Sequence, residues 1–133
     1  MQYEAILIVK GIFNDEVCMK IWKTLFYFLA VIPWTFIVAL ATFYVKAGQI
    51  LGHAPTYNYP DPKELEIYID YAPFVDLTAE VWMYSFFVWF ALTMTYVVIF
   101  RRRIEWTPLV ISGIGHYFGI LLLFSGIFEW YID

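Results

Sequence analysis

Residues 24–45 read TLFYFLAVIPWTFIVALATFYV, 22 positions without a charge, closed by Lys23 and Lys46. A helix needs about 20 apolar residues to cross roughly 30 Å of hydrocarbon. Lipid offers no partner for backbone N–H and C=O groups, so such a segment must satisfy them internally as a helix. Two more stretches share the pattern: Val81 to Phe100, 20 residues between Glu80 and Arg101, and Trp106 to Phe128, 23 residues between Glu105 and Glu129. The fold class that follows is all-α and integral to a membrane.

Composition agrees. The 133 residues are 62% hydrophobic and 15% charged, with a mean hydropathy of +0.68, whereas soluble domains are less apolar and more charged. A soluble chain of this length would leave large apolar patches in water. The net charge is −4 and the few basic residues sit where topology signals belong, so nucleic acid is not an expected partner. The expected surroundings are a lipid bilayer and other membrane subunits or further copies of the chain.

Working outward from the spans, the reading gives one membrane domain. Residues 1–22 form an N-terminal amphipathic segment, in which Ile6, Val9, Phe13 and Val17 oppose Lys10, Asn14 and Asp15. Spans over 24–46, 81–100 and 107–128 are joined by a long ordered loop, 47–80, and a short one, 101–106, and a tail, 129–133, follows. No cleavable signal peptide is visible, so the first span is expected to direct targeting. Trp22, Tyr44, Trp82, Tyr84, Trp106, Trp130 and Tyr131 fall near the span ends, where an interfacial aromatic belt is expected. Thr107 and Pro108 supply an N-cap and a first-turn proline for the third span. Pro33 interrupts the first span's hydrogen-bond ladder, which serves either packing or a gate.

Six basic residues, Lys10, Lys20, Lys23, Arg101, Arg102 and Arg103, lie on one side of this frame; only Lys46 and Lys63 lie on the other. By the positive-inside rule the N-terminus and the arginine loop face the cytoplasm, and the long loop and C-terminus face outward. Arg101, Arg102 and Arg103 are first a topology determinant, and they also suit anionic lipid headgroups.

In the long loop, Leu65, Ile67, Ile69 and Tyr71 alternate with polar residues as in a strand. Against this, Asp61, Pro62 and Glu64 imitate a helix start and Pro73 a helix stop. The short interfacial helix is preferred, because a lone strand has no partner. His53, Pro55, Tyr57, Tyr59, Pro60, Asp61 and Pro62 make the loop rigid and aromatic, suited to packing on a membrane surface or a partner. The run from Gly52 to Lys63, GHAPTYNYPDPK, resembles the G-[HY]-x-P-x-Y-x-x-P-D-P-K loop of small bacterial membrane proteins. The resemblance spans about a tenth of the chain and implies a bacterial origin, without a function attached; for a helical multi-span protein the expected location is then the bacterial inner membrane.

Candidate chemistry is sparse. Ser112, Gly115, Gly119 and Gly126 form a small-residue stripe for close helix packing. Beside it, His116 stands near mid-span, where an ionisable residue is a functional hypothesis by default; it could ligate haem, touch a quinone or relay a proton. The competing expectation is a neutral histidine hydrogen-bonded to a neighbouring helix, with Ser85, Thr93, Thr95 and Tyr96 as partners. No catalytic nucleophile motif, phosphate-binding glycine loop or metal-ligand spacing is present, and the lone Cys18 excludes an intrachain disulfide. The leading expectation is a non-catalytic accessory or scaffolding subunit. The alternatives are a haem- or quinone-associated redox component using His116, and an oligomeric small-solute transporter.

Overall fold

A computed structural model describes residues 15–56 and 59–132. Most of the expected amphipathic segment, and Tyr57 of the loop, lie outside these. Among the described residues the protein is helical, with α1 at Asp15–Leu51, a 3-10 turn at Pro62–Glu64, α2 at Tyr68–Ile99, α3 at Trp106–Leu123 and α4 at Gly126–Ile132. Three of them, α1 to α3, are long and apolar enough to cross a membrane.

The helices run past the charge-free stretches that announce them. With 37 and 32 residues, α1 and α2 extend about 55 and 48 Å at 1.5 Å per residue, well beyond a 30 Å hydrocarbon layer. Charge bounds the part of a helix that tolerates lipid, but it does not break the helix; α1 ends only where Gly52 adopts a left-handed φ of 73°, the ordinary C-terminal stop. The connection expected over 47–80 is therefore reduced to 52–67.

Within it the helical preference holds only as a single 3-10 turn, whose first backbone donors are capped by Asp61: its carboxylate accepts from the Lys63 N–H at 2.8 Å. The alternating segment after it forms no strand; Tyr68, Asp70 and Tyr71 donate backwards to Leu65 and Ile67 and open α2. Pro73 does not stop a helix, because it falls at the sixth residue of α2, and the turn upstream is held from outside. Tyr68 and Tyr71 pack on Phe43 at 6.1 and 5.9 Å, and the Tyr131 hydroxyl, whose shorter bond goes to Asp76, lies 3.3 Å from the Ala72 carbonyl.

Helix α1 is central and packs closely on both α2 and α3. Phe36, Ala39, Leu40, Phe43 and Ala47 on α1 form the main core with Val75 and Trp82 of α2 and Trp130 and Tyr131 of α4. A second cluster, Phe26, Tyr96 and Leu109, closes the arginine-turn end. There Trp22 packs on Tyr96 at 5.6 Å, the Glu105 N–H donates to the Tyr96 hydroxyl at 3.2 Å, and Lys23 pairs with Glu105 at 2.6 Å. Glu105 is also the N-cap residue of α3, but its carboxylate makes no capping bond. Thr107 does not supply the expected cap, because α3 already starts at Trp106; Pro108 shifts from the first to the third helical position and remains in the first turn, where its missing N–H costs no intrahelical bond.

The third span is interrupted. The Phe124 and Ser125 turn separates α3 from α4, the Ser125 hydroxyl donating to the Leu122 carbonyl at 2.6 Å. Residues 129–133, expected as a tail, thus belong in large part to a short helix that folds over the loop. Trp130 is fully buried and Tyr131 nearly so. With Trp82, also buried, they leave the expected aromatic belt for the core, whereas Tyr84 and Trp106 stay exposed.

Candidate functional site

Three places carry the residues singled out in the sequence, and they do not converge: the small-residue face with His116 within the bundle, the loop at one end and the arginine turn at the other.

On α3 the spacing 112, 115, 116, 119 puts Ser112, Gly115, His116 and Gly119 on one buried face. Each small residue admits a particular neighbour. At Gly115 a methyl group would lie 3.1 Å from the Pro33 ring and 3.3 Å from the Ala30 carbonyl oxygen, so the glycine seats α3 on the proline-bearing stretch of α1. At Gly119 the space is filled by the Trp82 indole, 2.6 Å from where a Cβ would stand. Ser112 accepts from Trp89 Nε1 at 2.8 Å and donates to the Pro108 carbonyl at 2.8 Å. These are contacts within one chain. Gly126 does not share them: it opens α4, is exposed, and has nothing within 4 Å of a would-be Cβ. The break at Phe124 and Ser125 resets the helical phase, which is why a stripe drawn through one continuous helix fails there.

His116 is 1% exposed. Its ring lies 5.1 Å from Trp89 and 5.8 Å from Phe86, and neither nitrogen has a hydrogen-bond partner. The expected bond to a neighbouring helix is absent because the candidate groups are turned to their own helix or elsewhere. Ser85 donates to the Trp82 carbonyl and Thr95 to that of Ala91, Tyr96 accepts from Glu105, and Thr93 Oγ1 is itself unpartnered. Trp82 Nε1 is a third orphaned buried group. Burying a polar group without a partner costs roughly 1–3 kcal/mol. Replacing His116 by Leu should therefore leave the melting temperature in detergent unchanged or raised, within about 1 kcal/mol, the loss of ring contacts offsetting the relief. A large drop would show that the imidazole has a partner that makes it indispensable.

At the loop end, the prolines are used internally. The Tyr44 hydroxyl donates to the Pro55 carbonyl at 2.9 Å, Trp130 Nε1 donates to the Pro60 carbonyl at 2.8 Å, and Pro55 and Pro62 are buried. His53, Tyr59 and Asp61 remain exposed. Tyr131 closes the same end by donating to Asp76 Oδ1 at 2.6 Å; burial, then that bond, push its phenol pKa well above the usual tyrosine value. The role of Trp130 and Tyr131 in holding the loop is the main feature the sequence reading missed. Its signal was Ser125-Gly126, a helix-breaking pair ahead of the aromatic run Phe128 to Tyr131.

At the other end Arg101, Arg102 and Arg103 are all exposed, around a cavity described below. Among the described residues, no group of three or more His, Cys, Asp or Glu side chains is placed to hold a metal ion. No family model, no curated protein and no solved structure matches the chain.

Proposed function

We propose that this chain is a multi-pass membrane protein of a bacterial inner membrane, acting as a non-catalytic accessory or scaffolding subunit that contacts other membrane proteins through α2. The observation that carries the reading is the uneven use of the three long helices. Only 17% of the most apolar stretch of α2 is buried, against 39% in α1 and 33% in α3. Phe74, Leu77, Val81, Tyr84, Phe87 and Val98 continue as an exposed apolar stripe along it. The small-residue face of α3, by contrast, is spent on internal packing, so it leaves α2 as the surface for a second protein.

The proposed topology, from the positive-inside rule, puts the N-terminus and the arginine turn in the cytoplasm and the loop and C-terminus outside. With Cys18 replaced by Ser, single cysteines at Arg102→Cys and His53→Cys should label from opposite sides of sealed vesicles. Labelling from one side, or recovery of the chain as a stable species in buffer without detergent, overturns the membrane reading. For the subunit reading, a photo-crosslinking residue at Phe87 in native-level expression should capture one defined protein. Capture of lipid alone, with a monodisperse monomer after mild-detergent purification, overturns it.

A second reading, a haem- or quinone-associated component, is favoured by one observation: both His116 ring nitrogens are unpartnered. The ring is enclosed by Phe86 and Trp89, so iron ligation requires it to turn out of that site. A Soret band in the purified protein that His116→Leu abolishes supports this reading; no visible band and no quinone in the lipid extract removes it.

A further inference from the structure

Between α2 and α3 the chain runs through six residues, Phe100 to Glu105, that include three consecutive arginines, and the turn borders a cavity of about 360 Å³ lined by Met19, Ile99, Phe100, Arg101, Arg102 and Arg103. That size is within the range of small-molecule sites. Its walls differ in character: Met19 of α1, Ile99 of α2 and Phe100 just after it give an apolar floor, and the arginines give a cationic rim.

Among the described residues the charge on the rim is unpaired. None of the three arginine side chains has an ion-pair or hydrogen-bond partner among the described residues. Glu105, the acid nearest in sequence, is held by Lys23 at 2.6 Å. On the facing turn of α1, Glu16 precedes Met19 by three residues and Lys20 follows it. Three guanidinium groups over an apolar floor, at the point where two apolar helices end, make a site for an amphiphile with an anionic head. Guanidinium binds phosphate oxygens in pairs, and arginines at such a level reach the headgroup region while their stems stay on apolar surface.

We propose that this cavity seats the phosphate ester of one anionic phospholipid, the phosphate on Arg101, Arg102 and Arg103 and the adjoining glycerol and acyl carbons on Met19, Ile99 and Phe100. The inference rests on the membrane reading above, and it goes beyond a charge bias that sets topology: it assigns one lipid to a pocket.

The test uses the full chain in detergent, with native mass spectrometry after addition of phosphatidylglycerol or phosphatidylcholine of matched acyl chains. One phosphatidylglycerol should be retained with about tenfold or greater preference. Inorganic phosphate and glycerol phosphate should not displace it. Two variants separate pocket from charge. Substituting all three arginines with Gln should abolish the preference, and Ile99→Trp, which keeps every charge and fills the cavity, should abolish retention. Should the arginine variant fail to fold, judged by its helical circular dichroism, Ile99→Trp decides alone. Equal retention of both lipids overturns the proposal, as does a preference that survives Ile99→Trp, which would mark diffuse surface charge. Displacement by inorganic phosphate would make a soluble phosphate the ligand and also overturn it. Failure of the membrane reading has a separate signature, solubility of the chain without detergent.

Discussion

Replacing Trp130 by Ala should destabilise the protein by about 3–5 kcal/mol, the cost of emptying a buried aromatic site, and should expose the 52–67 connection to protease. The indole is fully buried, stacked on Phe43 with ring centroids 5.5 Å apart and set edge-on to Tyr44 at 5.7 Å. Its N–H also supplies the bond to the Pro60 carbonyl. Truncation removes the ring that fills the core where α1, α4 and the loop meet, and it leaves that carbonyl short of a donor. Trp130→Phe keeps one aromatic ring but loses the bond and the pyrrole part of the indole, so its cost should be smaller, about 1–3 kcal/mol. Thermal melts in detergent order the three proteins, and limited proteolysis locates the damage. If Trp130→Ala melts like the parent, α4 does not hold the loop. The neighbouring Tyr131 gives the same end a pH dependence. Its phenol pKa is raised in the folded state, so its contribution is complete below pH about 10, the value of a free tyrosine, and declines as the pH rises beyond it. Tyr131→Phe should remove that alkaline decline and leave stability at pH 7 lower by about 1 kcal/mol.

The contrast between the two ends of the molecule explains what the amino-acid order disclosed. The long helices were legible because charge is excluded from lipid-compatible segments, and 24–45, 81–100 and 106–128 are bounded by Lys, Glu and Arg at every end. Their true limits were not, because helix formation continues in water wherever no breaker intervenes. α1 runs on to Gly52 and α2 begins 13 residues before Val81. The aromatic residues near the span ends were ambiguous for a physical reason: an amphipathic ring suits both a headgroup belt and a core in which its polar tip finds a carbonyl. Trp106 stays exposed, and Trp130 takes the second option. Nothing in the spacing of a single helix distinguishes them, since the choice depends on where the next helix lies.

The same limit applies to the candidate sites. That Ser112, Gly115, His116 and Gly119 share a buried face followed from helical geometry, but the identity of what covers them did not. Trp82 and Trp89 of α2 cover Gly119, Ser112 and His116, and Pro33 and Ala30 of α1 cover Gly115. Likewise, three adjacent arginines signal topology in any sequence; only the fold shows Met19 of α1 beside them and Glu105 already engaged by Lys23.

Gly119→Ala should be the most damaging single-methyl substitution on α3, with a loss of about 1–3 kcal/mol from overpacking. Its Cβ would stand 2.6 Å from Cε2, 2.7 Å from Cζ2 and 2.8 Å from Nε1 of Trp82, closer than carbon atoms pack. The indole cannot yield by a simple rotation, because it is 2% exposed and its other face is stacked on Phe36, with centroids 5.3 Å apart and planes 14° from parallel. Either α3 moves off α2 or the Trp82–Phe36 stack breaks, and both disturb the main core. Helix propensity pulls the other way, since Ala is favoured over Gly by about 1 kcal/mol in a helix interior, so the steric term must exceed it for a net loss to appear. Gly115→Ala should do less, because its contacts with Pro33 and the Ala30 carbonyl are at 3.1 and 3.3 Å and a shift of a few tenths of an ångström relieves them. Gly126→Ala, with open space around it, should be neutral. Melting temperatures in one detergent test this order, with tryptophan fluorescence reporting the displaced indole. A Gly119→Ala protein as stable as the Gly126→Ala one would mean that Trp82 does not rest on α3, and the arrangement of α2 against the other two helices would have to be redrawn.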